Sequence, residues 1–142
     1  MIARIRKSLE KEDKGFTLIE LLVVMIIIGI LAAVAIPIFL SQRKKAQDTA
    51  AKADVSTIGK EVATYFVEGT TMPTVVQTGA DPAVYHVDGQ FVGNASANVV
   101  LVTVTGSSSV DWCVEVTNPE GDIAASTHYK YSAEGGLETG TC

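Results

Sequence analysis

The sequence predicts an α+β fold in which a long amino-terminal helix, apolar over its first half, packs with its second half on a small antiparallel β-sheet. Three observations on the 142 residues support this prediction. Residues 21–40 contain no charged or polar side chain, and residues 41–68 contain no proline and show helical spacing. Residues 69–142 are rich in Thr, Val, Gly and Ser, and strands that follow a helical segment are typical of α+β proteins.

Composition and charge exclude some classes of protein. With 47% hydrophobic and 19% charged residues, the chain is too apolar to be disordered. The net charge of −5 is uneven, since residues 1–15 carry five basic and three acidic residues and residues 16–142 carry six and thirteen. The acidic body argues against direct nucleic-acid binding by this chain, because phosphate contacts need clustered Lys and Arg.

The apolar segment at residues 21–40 has the length of a membrane span. Twenty helical residues extend about 30 Å, which is the thickness of the hydrocarbon core. A secretory signal cut after Ala35 is the alternative, although such apolar regions usually have about 7–15 residues. Basic residues flank the segment on both sides, so charge leaves its orientation open. The two cysteines favour an external carboxy-terminal part.

Glu20 stands directly before this apolar segment. A carboxylate is costly in hydrocarbon, and an acid in such a place indicates a functional residue with a cationic partner. The alternative interpretation is an interfacial glutamate at the level of the lipid headgroups.

The segment Lys14–Val24 reads KGFTLIELLVV, follows a basic leader and opens an apolar run that contains Gly29 and Pro37. This combination resembles the prepilin processing site of type IV pilins and of the related type II secretion pseudopilins. The resemblance covers residues 10–45 closely and the remainder of the chain only in outline.

The resemblance implies roles for individual residues. Prepilin peptidase would cut between Gly15 and Phe16 and methylate the new amine of Phe16. The carboxylate of Glu20 would meet the Phe16 amine of a neighbouring subunit and so set the register of assembly. Gly29 and Pro37 would allow a helix break inside a crowded filament.

The resemblance also implies a domain organisation and a function. Residues 1–15 would be a cleaved leader, 16–40 a transmembrane and filament-core helix, 41–68 an amphipathic helix half and 69–142 the β-sheet head. The chain would be the major pilin of a type IV pilus, a homopolymer used in adhesion, twitching motility or DNA uptake. Before assembly it would lie in the membrane with a cytoplasmic N-terminus, and afterwards in an extracellular filament.

The resemblance also implies partners, and two rival functions stay open. The partners would be prepilin peptidase, an inner-membrane assembly platform and minor pilins, with no cofactor and no enzymatic activity. One alternative is a pseudopilin of a type II secretion or competence system. The second alternative is an ordinary secreted or membrane-anchored binding domain.

The spacing of apolar residues predicts the helical part of the chain. A single helix is predicted from Phe16 to Glu68 with Gly69 as its stop, and two helices separated at Pro37 are the alternative. Asp48 and Lys52 have the spacing of a favourable helical ion pair. The buried face of the second half is predicted at spacings of four and three residues: Ala51, Val55, Ile58, Val62 and Tyr65.

The head is predicted as a small hairpin followed by three strands that form an antiparallel meander. A hairpin at residues 84–92 turns at Asp88-Gly89, a favoured two-residue turn. Further strands are predicted at residues 98–105, 110–116 and 126–131, with turns at residues 118–121 and 135–136.

Cys113 and Cys142 are the two cysteines. The resemblance implies a disulfide between them, since many pilins have such a carboxy-terminal loop and major pseudopilins usually lack it. Chain-entropy reasoning values a loop of this size at roughly 3–4 kcal/mol. Two free thiols are the alternative.

No catalytic or metal site is predicted. His86 and His128 lack spacing partners for a metal, and Asp111 has no second carboxylate to match it. One weak oxygen cluster and one glycosylation sequon remain, with no use predicted for either: Asn118, Glu120 and Asp122 for the cluster, and Asn94-Ala95-Ser96 for the sequon.

Overall fold

The computed structural model describes residues 15–80 and 82–142. The predicted leader falls in residues 1–14, apart from Gly15, and lies outside the described residues. The described residues divide into two compact units between Phe39 and Leu40.

The long helix, α1, spans Leu18–Tyr65. It is a little shorter at both ends than predicted, because Thr17 caps its start and the chain turns after Tyr65, whose carbonyl accepts the Gly69 N–H at 2.8 Å. The helix continues through Pro37, so the alternative of two helices is wrong for the single chain. One proline removes one hydrogen bond, and the remaining bonds of a 48-residue helix hold the segment together.

The buried face of α1 is confirmed. Ala51, Val55, Ile58 and Val62 have no exposed surface, and Tyr65 is half-buried. The four buried side chains form one core cluster with the apolar face of the second sheet, which includes Trp112, Val114, Val116 and Tyr129.

The described residues contain seven strands: β1 Val75–Thr78, β2 Val84–Val87, β3 Gln90–Asn94, β4 Val100–Ser108, β5 Asp111–Thr117, β6 Tyr129–Ser132 and β7 Gly136–Thr139. They form two antiparallel sheets, and the second contains the predicted three-strand meander as β4, β5 and β6. The first has the order β1-β2-β3 and the second the order β4-β5-β6-β7, so a strand at each end was missed.

The predicted hairpin at residues 84–92 is confirmed as β2–β3. Val87 pairs with Gln90, and Asp88 and Gly89 have φ of 50° and 79°. Positive φ at both turn residues is what a two-residue turn of type I′ requires.

The remaining strands shift from their predicted bounds. Asn98 has φ of 65°, and β4 therefore begins at Val100. The predicted strand at residues 126–131 is wrong at its start, because a short helix, α2, spans Ile123–Ser126 and the strand begins only at Tyr129. His128, with φ of 70°, then turns the chain into β6.

Gln77 joins the two sheets through its side-chain amide. Its Nε2 donates to the Val99 carbonyl and its Oε1 accepts the Leu101 N–H, both at 2.8 Å. The amide thus makes the bonds that a neighbouring strand would make at this edge of β4.

Asp48 and Asp54 are buried acids on the second half of α1, with exposed fractions of 6% and 7%. Asp48 accepts the N–H groups at the start of α2 from Asp122, Ile123 and Ala124, at 3.0, 3.2 and 2.9 Å. The predicted pairing of Asp48 with Lys52 is wrong, because these three backbone donors occupy the carboxylate. Lys52 instead places Nζ 5.0 Å from the Tyr129 ring centroid.

Asp54 fastens the same helix to the first sheet. It accepts the Tyr85 hydroxyl at 3.0 Å, the Ser96 N–H at 2.8 Å and the Ser96 hydroxyl at 2.7 Å. Burial, followed by the charge and the hydrogen bond of Asp54, raises the pKa of Tyr85 far above its usual value. Tyr85 is therefore a neutral donor over the physiological pH range.

Candidate functional site

The first half of α1 presents an apolar surface that no other described part of the chain covers. Its large apolar side chains range in exposure from 46% at Val23 to 89% at Leu18. This helix is long and apolar enough to cross a membrane by length and composition. A continuous apolar surface of this kind marks a contact with lipid or with other protein chains.

The start of the helix is a reciprocal cap between Thr17 and Glu20. The Thr17 N–H and hydroxyl donate to Glu20 Oε2 at 2.8 and 2.7 Å, and the Glu20 N–H donates to the Thr17 hydroxyl at 3.3 Å. This is the capping box, in which the first and last residues of a Thr-x-x-Glu segment satisfy each other's backbone donors. The role of Thr17 was not predicted from the sequence, although the Thr-x-x-Glu spacing is its signal.

The cap uses one oxygen of the carboxylate. Both contacts from Thr17 reach Oε2, and Oε1 accepts no hydrogen bond from the described residues. Glu20 is exposed in the single chain, and covering it with hydrocarbon would leave this oxygen without a donor. The geometry therefore leaves Oε1 available for a donor or cation from outside the chain.

Gly15 and Phe16 precede the helix and are exposed. A Cβ placed on Gly15 would meet nothing within 4 Å, so the fold itself does not require glycine there. A requirement for glycine at this position would come from a partner that approaches the backbone closely.

Gly29 and Pro37 lie inside the exposed helical half. The helix is not interrupted at either residue, and a Cβ on Gly29 would meet nothing within 4 Å. A helix break at these residues stays a prediction for the assembled state, in which neighbouring chains would surround the segment.

Cys113 and Cys142 form a disulfide, as the resemblance implied. It joins β5 to the segment that follows β7. Glu115, on the same strand, accepts the Cys142 N–H at 2.8 Å and lies 2.6 Å from His128 Nδ1.

The weak oxygen cluster does not converge on one point in the structure. The Asn118 amide donates to Gln47, and Glu120 pairs with Arg43 at 3.4 Å. Among residues 15–80 and 82–142, no group of three His, Cys, Asp or Glu side chains is placed to hold a metal ion. His86 lies on β2 with Nδ1 3.5 Å from the Thr78 hydroxyl.

Comparison with known proteins identifies a sequence motif in the amino-terminal part of this chain. Residues 11–36 match a family model described as a prokaryotic N-terminal methylation motif. This chain carries that methylation motif. The match contains the Gly15–Phe16 junction, Glu20 and the first part of the apolar helix, which are the residues that carry the resemblance.

The relatives are pilus components and secretion proteins. The chain is 37% identical over 67 residues to the type II secretion system core protein G of Pseudomonas aeruginosa, covering 47% of each chain. It is 64% identical over 39 residues to the type IV wide pilus major component PilA4 of Thermus thermophilus, covering 28% of this chain and 30% of the relative. It is 39% identical over 69 residues to the type IV narrow pilus major component PilA5 of the same organism, covering 49% and 60%.

These similarities confirm the resemblance to type IV pilins and secretion pseudopilins, and the α+β fold agrees with it. The chain spans about half the length, or less, of most of the curated relatives described above. No solved structure gives a significant match.

Proposed function

We propose that this chain is a structural subunit of a type IV pilus, which polymerises after cleavage between Gly15 and Phe16. The observation that carries the proposal is the placement of Glu20. Its carboxylate caps the start of an apolar helix with one oxygen and offers the other to an external cation, and Glu20 would be the fifth residue after the predicted cleavage point.

Cleavage would supply that cation. The new amino group of Phe16 has an ordinary pKa of about 8 and is mostly charged at neutral pH. In a bundle of parallel helices, the Phe16 amine of one subunit can bind Glu20 Oε1 of its neighbour. Pairing removes two isolated charges from an apolar environment, and a buried polar pair can also fix register.

The exposed surface of residues 16–40 has two successive environments in this proposal. It first anchors the subunit in the membrane with a cytoplasmic N-terminus, and it then packs in the core of an extracellular filament. Its partners are other copies of the chain, prepilin peptidase, an assembly platform and minor pilins. The chain acts as a building unit without catalysis or a cofactor.

A pseudopilin of a secretion system is the second candidate, and the similarity to a type II secretion core protein favours it. The disulfide between Cys113 and Cys142 favours a pilin, because major pseudopilins usually lack such a loop. Electron microscopy of cells and sheared surface material separates the two candidates. Long surface fibres containing this chain support the pilin, and the absence of long fibres from cells with a chain-dependent secretion defect supports the pseudopilin.

Mass spectrometry of the mature N-terminus tests the cleavage on which both candidates depend. The expected species begins at Phe16 and carries the mass of one additional methyl group. A chain that begins at Ile36 would show an ordinary signal peptide cut after Ala35 and would overturn the proposal.

A further inference from the structure

Glu115 is a buried carboxylate on the face of β5 that points away from the core. Alternation along the strand places Trp112, Val114 and Val116 in the core and Glu115 on the opposite face. Cys113, on that same face, is half-buried, whereas Glu115 is only 3% exposed. The segment Gly140–Cys142, here called the strap, contacts Glu115 on this face.

The strap is held by two hydrogen bonds besides the disulfide. The Cys142 N–H donates to Glu115 Oε2 at 2.8 Å, and the Gly140 N–H donates to the His128 carbonyl at 3.2 Å. His128 Nδ1 lies 2.6 Å from Glu115 Oε1, so each oxygen of this carboxylate has its own partner. Glu115 and His128 thus form a bracket that contacts the strap at two points.

The backbone conformation of His128 indicates that the contacts of this bracket have a role in the chain. Its φ of 70° lies in the left-handed region, which costs free energy for any residue other than glycine. This conformation precedes β6, and in it the ring reaches Glu115 while the carbonyl reaches Gly140. The strained residue is therefore the one that makes both contacts.

We propose that Glu115 and His128 seat the strap before the disulfide exists and so position Cys142 beside Cys113 for oxidation. Both bracket contacts to the strap use backbone N–H groups, which are present whether the cysteines are reduced or oxidised. A seated strap raises the local concentration of one thiol at the other, which favours the intramolecular bond.

A groove of about 430 Å³ gives an oxidant access to this pair. Cys113, Cys142 and Lys130 line it, and Cys142 is exposed. The oxidant is a small or protein-bound disulfide. The thiolate of Cys142 attacks it and releases one thiol, and the thiolate of Cys113 then attacks Cys142 Sγ and releases the second. Two electrons pass to the oxidant, and the two protons that the cysteines lose end on the two sulfurs released from it.

The test uses the full chain in detergent micelles, reduced and then exposed to oxidised glutathione. Alkylation at timed intervals and mass spectrometry give the rate and the equilibrium constant of the Cys113–Cys142 bond. Glu115→Gln removes the charge of the bracket, and we expect a loss of about tenfold in the equilibrium constant. The matched control is Glu120→Gln, which changes an exposed acid in the connection between β5 and α2 and should behave as the wild type.

A second measurement keeps the test decisive if Glu115→Gln folds poorly. In Cys142→Ser the disulfide cannot form, and hydrogen exchange at the amides of residues 140 and 142 reports the strap directly. We expect protection of about tenfold or more over an unstructured peptide. Unprotected amides in Cys142→Ser, or wild-type oxidation in a folded Glu115→Gln, would overturn the proposal. Neither result depends on whether the chain forms filaments.

Discussion

The hydroxyl of Thr17 and the carboxylate of Glu20 lie 2.7 Å apart and cap the first turn of α1 in both directions. Glu20 therefore caps the helix of its own chain, in addition to the pairing between subunits that we propose for it. The cap and the proposed pairing use different oxygens of the Glu20 carboxylate, so substitutions can separate the two interactions.

Thr17→Ala should loosen the first turn of the helix. It removes the hydroxyl that accepts the Glu20 N–H, and the loss of a cap costs about 1 kcal/mol. We expect faster hydrogen exchange at residues 18–21 in micelles and a modest fall in fibre yield. Thr17→Ser keeps the hydroxyl and should exchange as slowly as the wild type. Equal exchange in Thr17→Ala would show that the cap contributes nothing.

Asp48→Ala should destabilise the head strongly. Three backbone N–H groups at the start of α2 lose their common acceptor in a site that is 6% exposed. Leaving them unpaired should cost about 3 kcal/mol of the free energy of unfolding. Chemical denaturation followed by circular dichroism measures this loss. Asp122→Asn changes an exposed acid beside the same three donors and should leave the stability within about 0.5 kcal/mol of wild type.

Tyr85 and Tyr129 provide a matched pair of buried hydroxyls. The Tyr85 hydroxyl donates to Asp54, whereas the Tyr129 hydroxyl is buried without a partner among the described residues. Tyr85→Phe should lose about 1–2 kcal/mol, and Tyr129→Phe should be neutral or stabilising by up to about 1 kcal/mol. A clear loss in Tyr129→Phe would mean that its hydroxyl has a partner, such as a buried water.

The raised pKa of Tyr85 also gives a pH dependence. The folded chain holds the phenol proton more tightly than the unfolded chain does. Above about pH 10 the unfolded state releases this proton first, so stability is complete below that pH and falls as the pH rises further. Denaturation between pH 8 and pH 11 should show a smaller decline in Tyr85→Phe than in the wild type.

Alanine substitutions at Gly29 and Gly59 distinguish a glycine needed for assembly from a glycine needed for folding. A Cβ on Gly59 would overlap the Tyr131 ring, which stacks on Trp112, so Gly59→Ala should cost about 1–3 kcal/mol. Gly29 has open space around it, and Gly29→Ala should leave the single chain as stable or slightly more stable. If small size at residue 29 serves close packing between subunits, Gly29→Ala lowers the fibre yield. Fibres in wild-type amounts from Gly29→Ala would show that small size at residue 29 is not needed for packing between subunits.

The sequence predicted the parts of the fold that local patterns determine. The apolar stripe at Ala51, Val55, Ile58 and Val62 follows helical spacing, and the Asp88-Gly89 turn needs two residues that tolerate positive φ. Both signals lie within a few residues of the elements they specify.

The parts that it missed depend on contacts between distant residues. Asp48 has the spacing of a surface ion pair with Lys52, but its acceptor role depends on backbone groups 74–76 residues further along the chain. The amide of Gln77 joins the two sheets across 22 and 24 residues. Side-chain bonds to distant backbone leave no periodic signal in a sequence.

For the candidate site, the sequence predicted Gly15, Phe16 and Glu20 as functional residues, and the methylation motif covers all three. It did not assign a role to Thr17. It also predicted no role for Glu115 and His128, because their meeting depends on the pairing of β5 with β6 and on the left-handed turn at His128.

Glu20→Gln tests the central claim most directly, because glutamine can still form the capping box while it removes the negative charge. The measurement is the amount of this chain in sheared surface fibres, normalised to the membrane pool with a verified Phe16 N-terminus. Glu61→Gln, an exposed acid on the same helix, is the control. We predict normal cleavage with fibres reduced at least about tenfold for Glu20→Gln and unchanged for Glu61→Gln. Fibres in wild-type amounts from Glu20→Gln would contradict the pairing of Glu20 with the neighbouring Phe16 amine.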